Sequence, residues 1–280
     1  MARLDSRRRL IVNADDFGLS SSINLAVIEA HRQGILTSAS LMVNGRACDE
    51  AVRLARENPK LAVGLHLTLV CGSATLPSAQ IPGLVDRHGQ FTDNPVGAGM
   101  NYFFRAGLRR QLEWEIAAQM KKFHATGLRL DHVNGHLNLH LHPAVFRILL
   151  KHAEAWQIRA VRLTRDPFRL NARLAGGRWV YRLSHAVIFR CLAAWAEKEL
   201  DRRRIARTQQ VFGLLQYGRM DEAYLSSLLA HLPEGDSELY SHPSLDEFKH
   251  EFEALISPRI QASLEENKIE RIRYQDLTYA

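Results

Sequence analysis

The amino-acid sequence predicts an α/β fold of the (β/α)-barrel type, TIM-barrel-like or an irregular variant of it, with a helical basic insertion. Two observations predict this fold. Short apolar runs rich in β-branched residues alternate with longer segments of helical periodicity, which is typical of strands that lie parallel in one sheet. About eight such strand and helix pairs fit into the 280 residues, as a barrel requires. A doubly wound open sheet is the alternative.

Each predicted element has a local reason. The strands are short apolar runs bounded by polar or glycine-containing segments, and they are predicted at residues 10–15, 38–43, 62–67, 130–135, 160–163, 211–215, 238–241 and 269–273. The helices follow patterns with one apolar face, and they are predicted at residues 22–33, 48–57, 108–126, 143–156, 221–231 and 245–255.

Capping residues support several helix boundaries. Pro143 would occupy the first helical position, where its missing N–H is harmless. Gly34 and Gly127 follow helical runs, as C-terminal capping glycines do. Asp221 and Ser244 are predicted to cap helix N-termini with their side-chain oxygens.

The composition indicates a single globular domain over residues 1–280. Apolar residues make up 46% and charged residues 24% of the chain, which is enough for a full core. Two segments interrupt the strand and helix rhythm: the Gly/Pro-rich residues 71–107, expected to be a loop insertion, and the basic residues 165–207, expected to form a lid or a membrane contact. No apolar run approaches the roughly 20 residues that cross a bilayer.

The expected location is the cytoplasm, with a peripheral contact at the inner membrane face as an extension. The segment "MARLDSRRRL" carries charges but no long apolar run, so no signal peptide is expected. The three cysteines, Cys48, Cys71 and Cys191, are an odd and widely spaced set, which favours a reducing compartment over a disulfide framework. The sequence predicts no particular oligomeric state.

Polar residues collect where predicted strands end, which is where barrel enzymes place their functional groups. The run "LIVNADDFG" ends the first strand in Asp15 and Asp16, and "AVGLHLTL" presents His66. For each feature alone a structural interpretation competes: a turn carboxylate for the aspartates, a core histidine for His66. The remaining members of the set are His136, His140, Arg162 and His242.

The stretch "DHVNGHLNLHLHP" holds four histidines and two asparagines at alternate positions between 132 and 142. If extended, it would show all six on one face. Gly135 is a natural break, so a strand is expected to end there, with His136 at the rim and a loop leading to a helix at Pro143. A solvated face normally carries Lys, Glu, Thr or Ser, so this composition favours a ligand or hydrogen-bonding surface.

An aspartate with two histidines and open positions suits one divalent ion, Zn²⁺ or Mg²⁺, with Mn²⁺ or Co²⁺ as other options. Such an ion lowers the pKa of bound water to near 7 and polarises a carbonyl oxygen. With Asp15 as general base and a histidine opposite as general acid, the residues predict metal-assisted hydrolysis.

Six motifs together resemble the YdjC-like carbohydrate deacetylases, over about residues 9–250: "IVNADDFGLS", "TSASLMVNG", "AVGLHLTL", "DHVNGHLNLHLHP", "AVRLTRDP" and "ELYSHPS". The hopanoid-biosynthesis-associated branch is the most similar, because it carries "NGHLNLHLHP". Asn138 and Asn134 stand where other members often carry His and Asp.

The resemblance implies a (β/α)-barrel-like fold and metal-dependent removal of N-acetyl groups from amino sugars. It implies Asp16, His66 and His136 as metal ligands. By the same resemblance Asp15 is the base and His242 the acid, while the residues expected around the substrate are Arg162, Asn44 and His140. For the hopanoid branch, the implied substrate is an N-acetylglucosaminyl hopanoid that is converted to the free amine.

The basic character of the chain belongs to one segment. Residues 165–207 contain ten Arg and one Lys against four acidic residues, a net charge of +7, equal to that of the whole chain. An apolar stripe runs through the segment at helical spacing, formed by Val180, Leu183, Val187, Ile188, Cys191, Leu192 and Trp195. The stripe either packs on the barrel or touches anionic lipid headgroups. Nucleic-acid binding is not expected, because no recognised motif accompanies the charge.

Three functions therefore compete. The first is a metal-dependent N-deacetylase acting on a hopanoid glycolipid, and the second is the same chemistry on a soluble chitooligosaccharide. A soluble substrate has no need for a basic amphipathic helix, so the 165–207 segment favours the first. The third is a non-catalytic barrel that binds metal or nucleic acid. The adjacent pair Asp15 and Asp16 argues against it, because a binding protein has no use for a free base.

Overall fold

The regular strands form one parallel sheet that curls on itself. The computed structural model describes residues 7–277, so most of the N-terminal segment considered for a signal peptide lies outside it. The strands within this range are β1 Arg8–Phe17, β2 Ser38–Leu41, β3 Ala62–Leu67, β4 Leu130–Gly135, β5 Gln210–Phe212, β6 Gly235–Ser241 and β7 Ile269–Ile272. Their order is β4-β3-β2-β1-β6-β5, and β7 also pairs with β1. All of these pairings are parallel.

Helices connect the strands and cover the outer face of the sheet. In the described part of the chain they are α1 Ser21–Gln33, α2 Cys48–Glu57, α3 Pro95–Phe104, α4 Leu108–Ala125, α5 Pro143–Lys151, α6 Phe168–Leu174, α7 Trp179–Arg203, α8 Glu222–Ala230, α9 Lys249–Ile256 and α10 Pro258–Glu266. Two 3-10 turns are added at His136–Leu141 and Tyr274–Asp276. None of the described helices is both long enough and apolar enough to cross a bilayer.

The predicted α/β class is confirmed, and seven of the predicted strands appear within a few residues of their expected bounds. The strand predicted at 160–163 is the exception. This segment forms only single parallel bridges, Val133 with Val161 and Ala160 with Ala206. It therefore lies between β4 and the residues that precede β5, but it is not a regular strand. A curled parallel sheet is therefore observed, while a complete TIM barrel stays a prediction.

Two helix predictions need correction. The helix that begins at Pro143 ends at Lys151 rather than at residue 156. The helix predicted from residue 245 begins only at Lys249, so Ser244 does not cap it; its Oγ instead accepts a hydrogen bond from the Phe248 N–H at 2.8 Å. Asp221 caps α8 as predicted, accepting from the Tyr224 N–H.

The two faces of β1 have different surroundings. Leu10, Val12 and Ala14 pack into the main core with the helices. Ile11 points to the opposite, inner face, where it lies in a smaller apolar cluster that closes one end of the curled sheet. The other buried members of that cluster are Ala160, Ile272, Tyr274 and Leu277. Apolar residues thus pack on the outer face of the sheet, and a smaller apolar cluster fills part of its interior.

Both insertions contain helices. The 71–107 segment, expected as a loop, includes α3, whose N-terminus is capped by Asn94 and begins with Pro95. The 165–207 segment contains α6 and the 25-residue α7. These helices follow the carboxyl ends of β3 and of the 159–165 segment, on either side of the turn that follows β4. The insertions therefore flank the edge of the sheet where the predicted functional residues lie.

Asp166, at the start of the second insertion, is buried with one carboxylate oxygen bonded to the backbone. Its Oδ2 accepts from the Gly213 and Leu215 N–H groups, whereas its Oδ1 is buried without a hydrogen bond. Burial raises the pKa of Asp166 to about 7 despite those two hydrogen bonds. The folded protein therefore holds a proton there that the unfolded chain releases near pH 4.

We expect Asp166→Asn to stabilise the protein at pH 8 by a few kcal/mol, since each pKa unit corresponds to about 1.4 kcal/mol. In the native protein the contribution of Asp166 to the free energy of unfolding is most favourable below the unfolded pKa and is lost as the pH rises toward 7. Urea unfolding at pH 4.0 and 8.0 (about the two limits of this titration) measures the difference in stability between the native protein and the variant. Asp236→Asn, in a partly exposed ion pair, is the control. An equal effect at both pH values would contradict the assignment.

Candidate metal centre and active site

Asp15 and Asp16 lie where the pairing of β1 with β2 becomes irregular. Between Ala14 and Phe17, β1 has one residue more than the facing part of β2, which makes a bulge. Asp16 adopts a left-handed conformation with φ of 62°, which is uncommon for a residue with a side chain. A bulge of this kind changes the direction of a side chain relative to strand alternation. The two adjacent carboxylates therefore reach different partners.

A carboxylate and two imidazoles converge at this edge of the sheet. His66 Nε2 lies 3.2 Å from Asp16 Oδ1, and His136 Nδ1 lies 3.0 Å from the same oxygen. One ligand atom of each residue lies within 4.8 Å of the other two. Asp16 and His66 are buried, while His136 is partly exposed. The group thus has a rigid inner side and a side that solvent or substrate can reach.

The donor set fits a divalent cation. His66 Nδ1 lies 2.7 Å from Asn134 Oδ1, and the Asn134 Nδ2 donates to Asp15 and Ser40, which assigns the amide. Because an amide oxygen only accepts, His66 carries its proton on Nδ1 and presents the Nε2 lone pair beside Asp16. A catalytic Zn²⁺ typically has three protein ligands and one open position, and one carboxylate with two imidazoles is such a set. Related divalent ions accept the same ligands.

Asp16 and His66 each stabilise the charged form of the other, and His136 also stabilises the charged form of Asp16. Burial by itself would raise the pKa of Asp16, but His136 and His66 outweigh this effect and hold the pKa well below its usual range. Burial would lower the pKa of His66, but the carboxylates of Asp15 and Asp16 outweigh it and raise the pKa. The two carboxylates that raise the pKa of His66 would also attract a cation.

We expect His66→Ala to lower metal affinity by more than about 100-fold, since even the loss of an outer partner of a ligand costs 10–100-fold. Metal content after incubation with Zn²⁺ or Mn²⁺ and dialysis, measured by mass spectrometry of the element, tests this. His88→Ala, at an exposed loop histidine, is the matched control and should keep the native metal content. Equal metal content in the two variants would contradict the ligand assignment.

Asp15 is buried and held by Arg162. The guanidinium makes two hydrogen bonds to the carboxylate, Nη1 to Oδ2 at 2.7 Å and Nη2 to Oδ1 at 2.8 Å. Burial would raise the pKa of Asp15, but the charge and hydrogen bonds of Arg162, with the charge of His66, hold the pKa well below its usual range. Asp15 is therefore ionised at neutral pH, and its orientation is set by the planar guanidinium.

A buried polar network holds Asp15 and links it to Ser40. The side-chain amides of Asn13 and Asn134 each donate to Asp15 Oδ1 and to Ser40 Oγ. His132 Nε2 lies 3.0 Å from the same Ser40 hydroxyl. Asn13 and Ser40 were not among the predicted site residues. The signal was present, because β1, β2 and β4 each carry polar residues two positions apart, which places them on one face of the strand.

Arg162 connects Asp15 to a second buried carboxylate. Its Nη2 donates to Glu238 Oε1 at 2.7 Å, and its guanidinium carbon lies 4.2 Å from the centre of the Tyr240 ring. Glu238 in turn accepts a hydrogen bond from the Tyr274 hydroxyl. Arg162 is fully buried. Arg162 therefore holds and neutralises Asp15 from within the protein, and the substrate contact predicted for it stays a prediction.

His242 lies across the site from the metal ligands, after β6. Its ring contacts Tyr217 at 4.9 Å and Tyr240 at 5.8 Å between ring centres, and its backbone N–H donates to Glu251. It is close enough to Asp15 for its charge to contribute to the lowered pKa of that carboxylate. The structure thus brings His242 to the same edge as the other candidates, and its role as general acid stays a prediction.

The other two predicted substrate residues lie in structural positions. His140 is fully buried and its Nε2 donates to the Arg162 carbonyl at 2.9 Å; burial lowers its pKa to about 3, so the ring is neutral. Asn44 bonds to Ser73 and Thr75 at the start of the first insertion. His140 thus fixes the backbone at Arg162 and Asn44 fixes that loop, and the substrate roles of both residues stay predictions.

The histidine-rich stretch is only half extended. β4 ends at Gly135 as predicted, and the chain then turns through a 3-10 segment in which Leu137 and Asn138 have positive φ values of 50° and 56°. The six alternating polar residues therefore do not share one face. Asn138 is buried, and its side chain bonds to Tyr240 and Thr164. The strained turn places His136 at the rim.

Two bacterial proteins, each named carbohydrate deacetylase, are similar to this chain in sequence. The first, from Brevibacillus brevis, is 45% identical over 150 residues, which is 54% of this chain and 57% of that protein. The second, from Geobacillus stearothermophilus, is 41% identical over 166 residues, 58% of this chain and 63% of that protein. The chain thus spans about three fifths of the length of these relatives.

A solved structure from Enterococcus faecalis V583, described as a candidate cellobiose-phosphate cleavage protein, shares the fold. It superposes with a TM-score of 0.75 at 23% identity and covers 98% of this chain and all of its own. Residues 9–266 match the family described as YdjC-like protein; they include strands β2 to β6, all of β1 except Arg8, and all of the candidate site residues. The chain therefore belongs to the YdjC-like protein family.

Proposed function

We propose that the protein is a metal-dependent N-deacetylase that releases acetate from an N-acetylglucosaminyl group, with a hopanoid glycolipid as substrate. One observation carries the chemistry: Asp16, His66 and His136 present three ligand atoms within 4.8 Å of one another, directly beside the ionised Asp15. The names of the two curated relatives, carbohydrate deacetylase, support the same reaction class.

The reaction is hydrolysis of an amide. Water adds across the C–N bond, so that the acetyl carbon gains a hydroxyl, the nitrogen gains a proton, and acetate and a free amine result. A bound divalent ion, held by Asp16, His66 and His136, would polarise the amide carbonyl and lower the pKa of the attacking water.

Asp15 would accept the proton of that water. Its Oδ2 receives a hydrogen bond from Arg162 alone among the described residues, so one lone pair of this oxygen remains for the proton. Arg162 keeps the carboxylate ionised and correctly oriented. His242, on the opposite side of the site, would donate a proton to the leaving nitrogen. The two proton-handling residues thus approach the amide from different strands.

Mass spectrometry of candidate substrates tests the proposal. The protein, supplied with Zn²⁺, Mg²⁺, Mn²⁺ or Co²⁺, is incubated with N-acetylglucosaminyl hopanoid or with chitooligosaccharides. We expect the glycolipid to lose the mass of one acetyl group, and a chelator to abolish this loss. Deacetylation of the chitooligosaccharide alone would assign the soluble substrate instead. Metal binding without turnover on either substrate would contradict the enzymatic function.

A further inference from the structure

The first half of α7 exposes the apolar stripe that its sequence carries. Val180 is 85% exposed, and the other exposed apolar residues of this half are Trp179, Leu183, Val187 and Ile188. They recur at spacings of one, three and four residues, so they share one side of the helix. The residues of α7 that are buried lie on another side: Arg182, Ala193, Ala196 and Leu200. This exposed half of the stripe is therefore not what attaches the helix to the protein, whereas Trp195, at the other end of the stripe, packs against Phe146 of α5.

A second helix has the same character. On α3, Val96, Met100, Phe103 and Phe104 are all more than half exposed, while Ala98 and Tyr102 are its buried residues. Both α3 and α7 pack against α5, and each belongs to an insertion that follows the carboxyl end of a strand. Two helices that pack against the same helix α5 therefore present apolar side chains outward, and most of the large exposed apolar residues of the described chain belong to them.

The stretches of sequence that carry these stripes hold only positive charge. Residues 167–196 contain five arginines and no acidic residue, and residues 94–112 contain three arginines and no acidic residue. Arg169, Arg173, Arg178 and Arg190 are exposed, and among the described residues none of them forms an ion pair. The acidic residues of α7, Glu197, Glu199 and Asp201, lie in its last two turns and pair with other arginines, which leaves the positive charge beside the stripe to an external partner.

A cavity lies beside the exposed apolar side chains of α7. It has a volume of about 860 Å³ and lies between α7 and the chain before α6. Leu183 and Val187 of the stripe line it, together with Phe168 and Leu214. The charged residues of the lining are Arg165, Arg169 and Arg190 with Asp166. A cavity lined by apolar side chains and by more basic than acidic residues suits a lipid layer, in which acyl chains lie beneath anionic headgroups.

We propose that α7 and α3 dock the protein on an anionic lipid bilayer. The docking surface consists of the exposed apolar residues of the two helices named above with Arg169, Arg173, Arg178 and Arg190. Trp179 suits the headgroup boundary because its ring is both apolar and polar. Apolar contact and attraction to anionic headgroups add to one another in such peripheral binding. The inference concerns binding and does not rest on the proposed deacetylase function.

Vesicle flotation tests the docking surface. The full chain is mixed with vesicles of phosphatidylcholine, with or without phosphatidylglycerol, and the floating fraction is measured. We expect binding to the anionic vesicles only, and weaker binding at high salt because screening reduces the attraction. The charge variant Arg169→Gln/Arg173→Gln/Arg190→Gln should lower partitioning by about 100-fold, since each basic residue near such a surface contributes roughly fivefold.

Matched controls separate the surface from general effects. The variants Val180→Ser/Val187→Ser/Ile188→Ser and Val96→Ser/Met100→Ser/Phe104→Ser should each lower partitioning at least about tenfold. Leu25→Ser/Leu245→Ser removes exposed apolar residues elsewhere, and Arg87→Gln/Lys121→Gln/Arg129→Gln removes the same charge elsewhere; both should bind as the native chain does. Circular dichroism confirms that each variant is folded.

Several outcomes would overturn the proposal. These are absence of binding by the native chain, equal binding to neutral vesicles, or unchanged binding in the charge or α7 variant. Unchanged binding in the α3 variant would overturn the two-helix surface. A second copy of the chain could cover the same surface instead of a bilayer, and size-exclusion chromatography with light scattering detects this alternative. If the native chain is a dimer that does not bind vesicles, and the α7 variant is a monomer, the surface belongs to a second copy of the chain.

Discussion

Asp15→Asn is expected to lower the turnover of deacetylation by about 10²–10⁴-fold, the usual contribution of a general base, while metal content stays native. The asparagine keeps the shape of the side chain and can still accept from Arg162, but it cannot take a proton from water. Asp15 contributes no atom to the Asp16, His66 and His136 group, so the cation should remain bound. Steady-state kinetics and metal analysis of the same preparation measure both quantities.

The comparison with His66→Ala makes this prediction specific. His66→Ala should lose metal and activity together, whereas Asp15→Asn should lose activity alone. Asp236→Asn, in the ion pair with Arg9 far from the site, is the control for the loss of a carboxylate and should retain native turnover. Near-normal turnover of Asp15→Asn would show that the base lies elsewhere.

Arg162→Met is expected to destabilise the protein by about 3–5 kcal/mol, because it leaves two buried carboxylates without their shared cation. Asp15 and Glu238 are both buried and both bonded to the guanidinium. Urea unfolding at pH 7 measures the loss. Arg9→Met removes a comparable but partly exposed pair and should cost about 1 kcal/mol or less. Similar losses in the two variants would contradict the account.

The same variant has a predicted pH dependence. In the native protein Arg162 holds the pKa of Asp15 below its unfolded value of 3.8, so this carboxylate stabilises the fold above that pH and the contribution is lost as the pH falls. Without the guanidinium, burial dominates and raises the pKa of Asp15. The difference in unfolding free energy between native protein and variant should therefore be largest near neutral pH and shrink toward pH 4. A constant difference would exclude the charge effect.

Much of the fold follows from local pattern. The alternation of β-branched runs with amphipathic segments predicted the elements, and β3 and β4 have the predicted bounds. Strand-end polarity placed Asp16, His66 and His136 among the site candidates, and the family resemblance implied these three as metal ligands. The fold brings them together although 120 residues separate the first from the last. This succeeded because carboxyl ends of parallel strands in one curled sheet must meet at the same edge.

Other features of the fold and the site depend on contacts between segments that are distant in the sequence. The segment at 160–163 looks like a strand, but its neighbours allow only single bridges. Ser244 is a good capping residue, but the helix begins later, at Lys249. Asn134 was predicted to belong to a hydrogen-bonding surface, but its partners were not: its Oδ1 accepts from His66 Nδ1 and its Nδ2 donates to Asp15. None of these contacts is local in the sequence, so no periodicity encodes them.

The amino-acid sequence by itself determined the class of the fold, the strand ends that carry the site and the basic character of one insertion, because each depends on residue type and short-range spacing. Tertiary structure decided the rest: the bulge that turns Asp16 away from Asp15, the guanidinium that both buried carboxylates share, and the side of α7 that remains exposed. Burial depends on what packs against a residue, and that is set by segments far away along the chain.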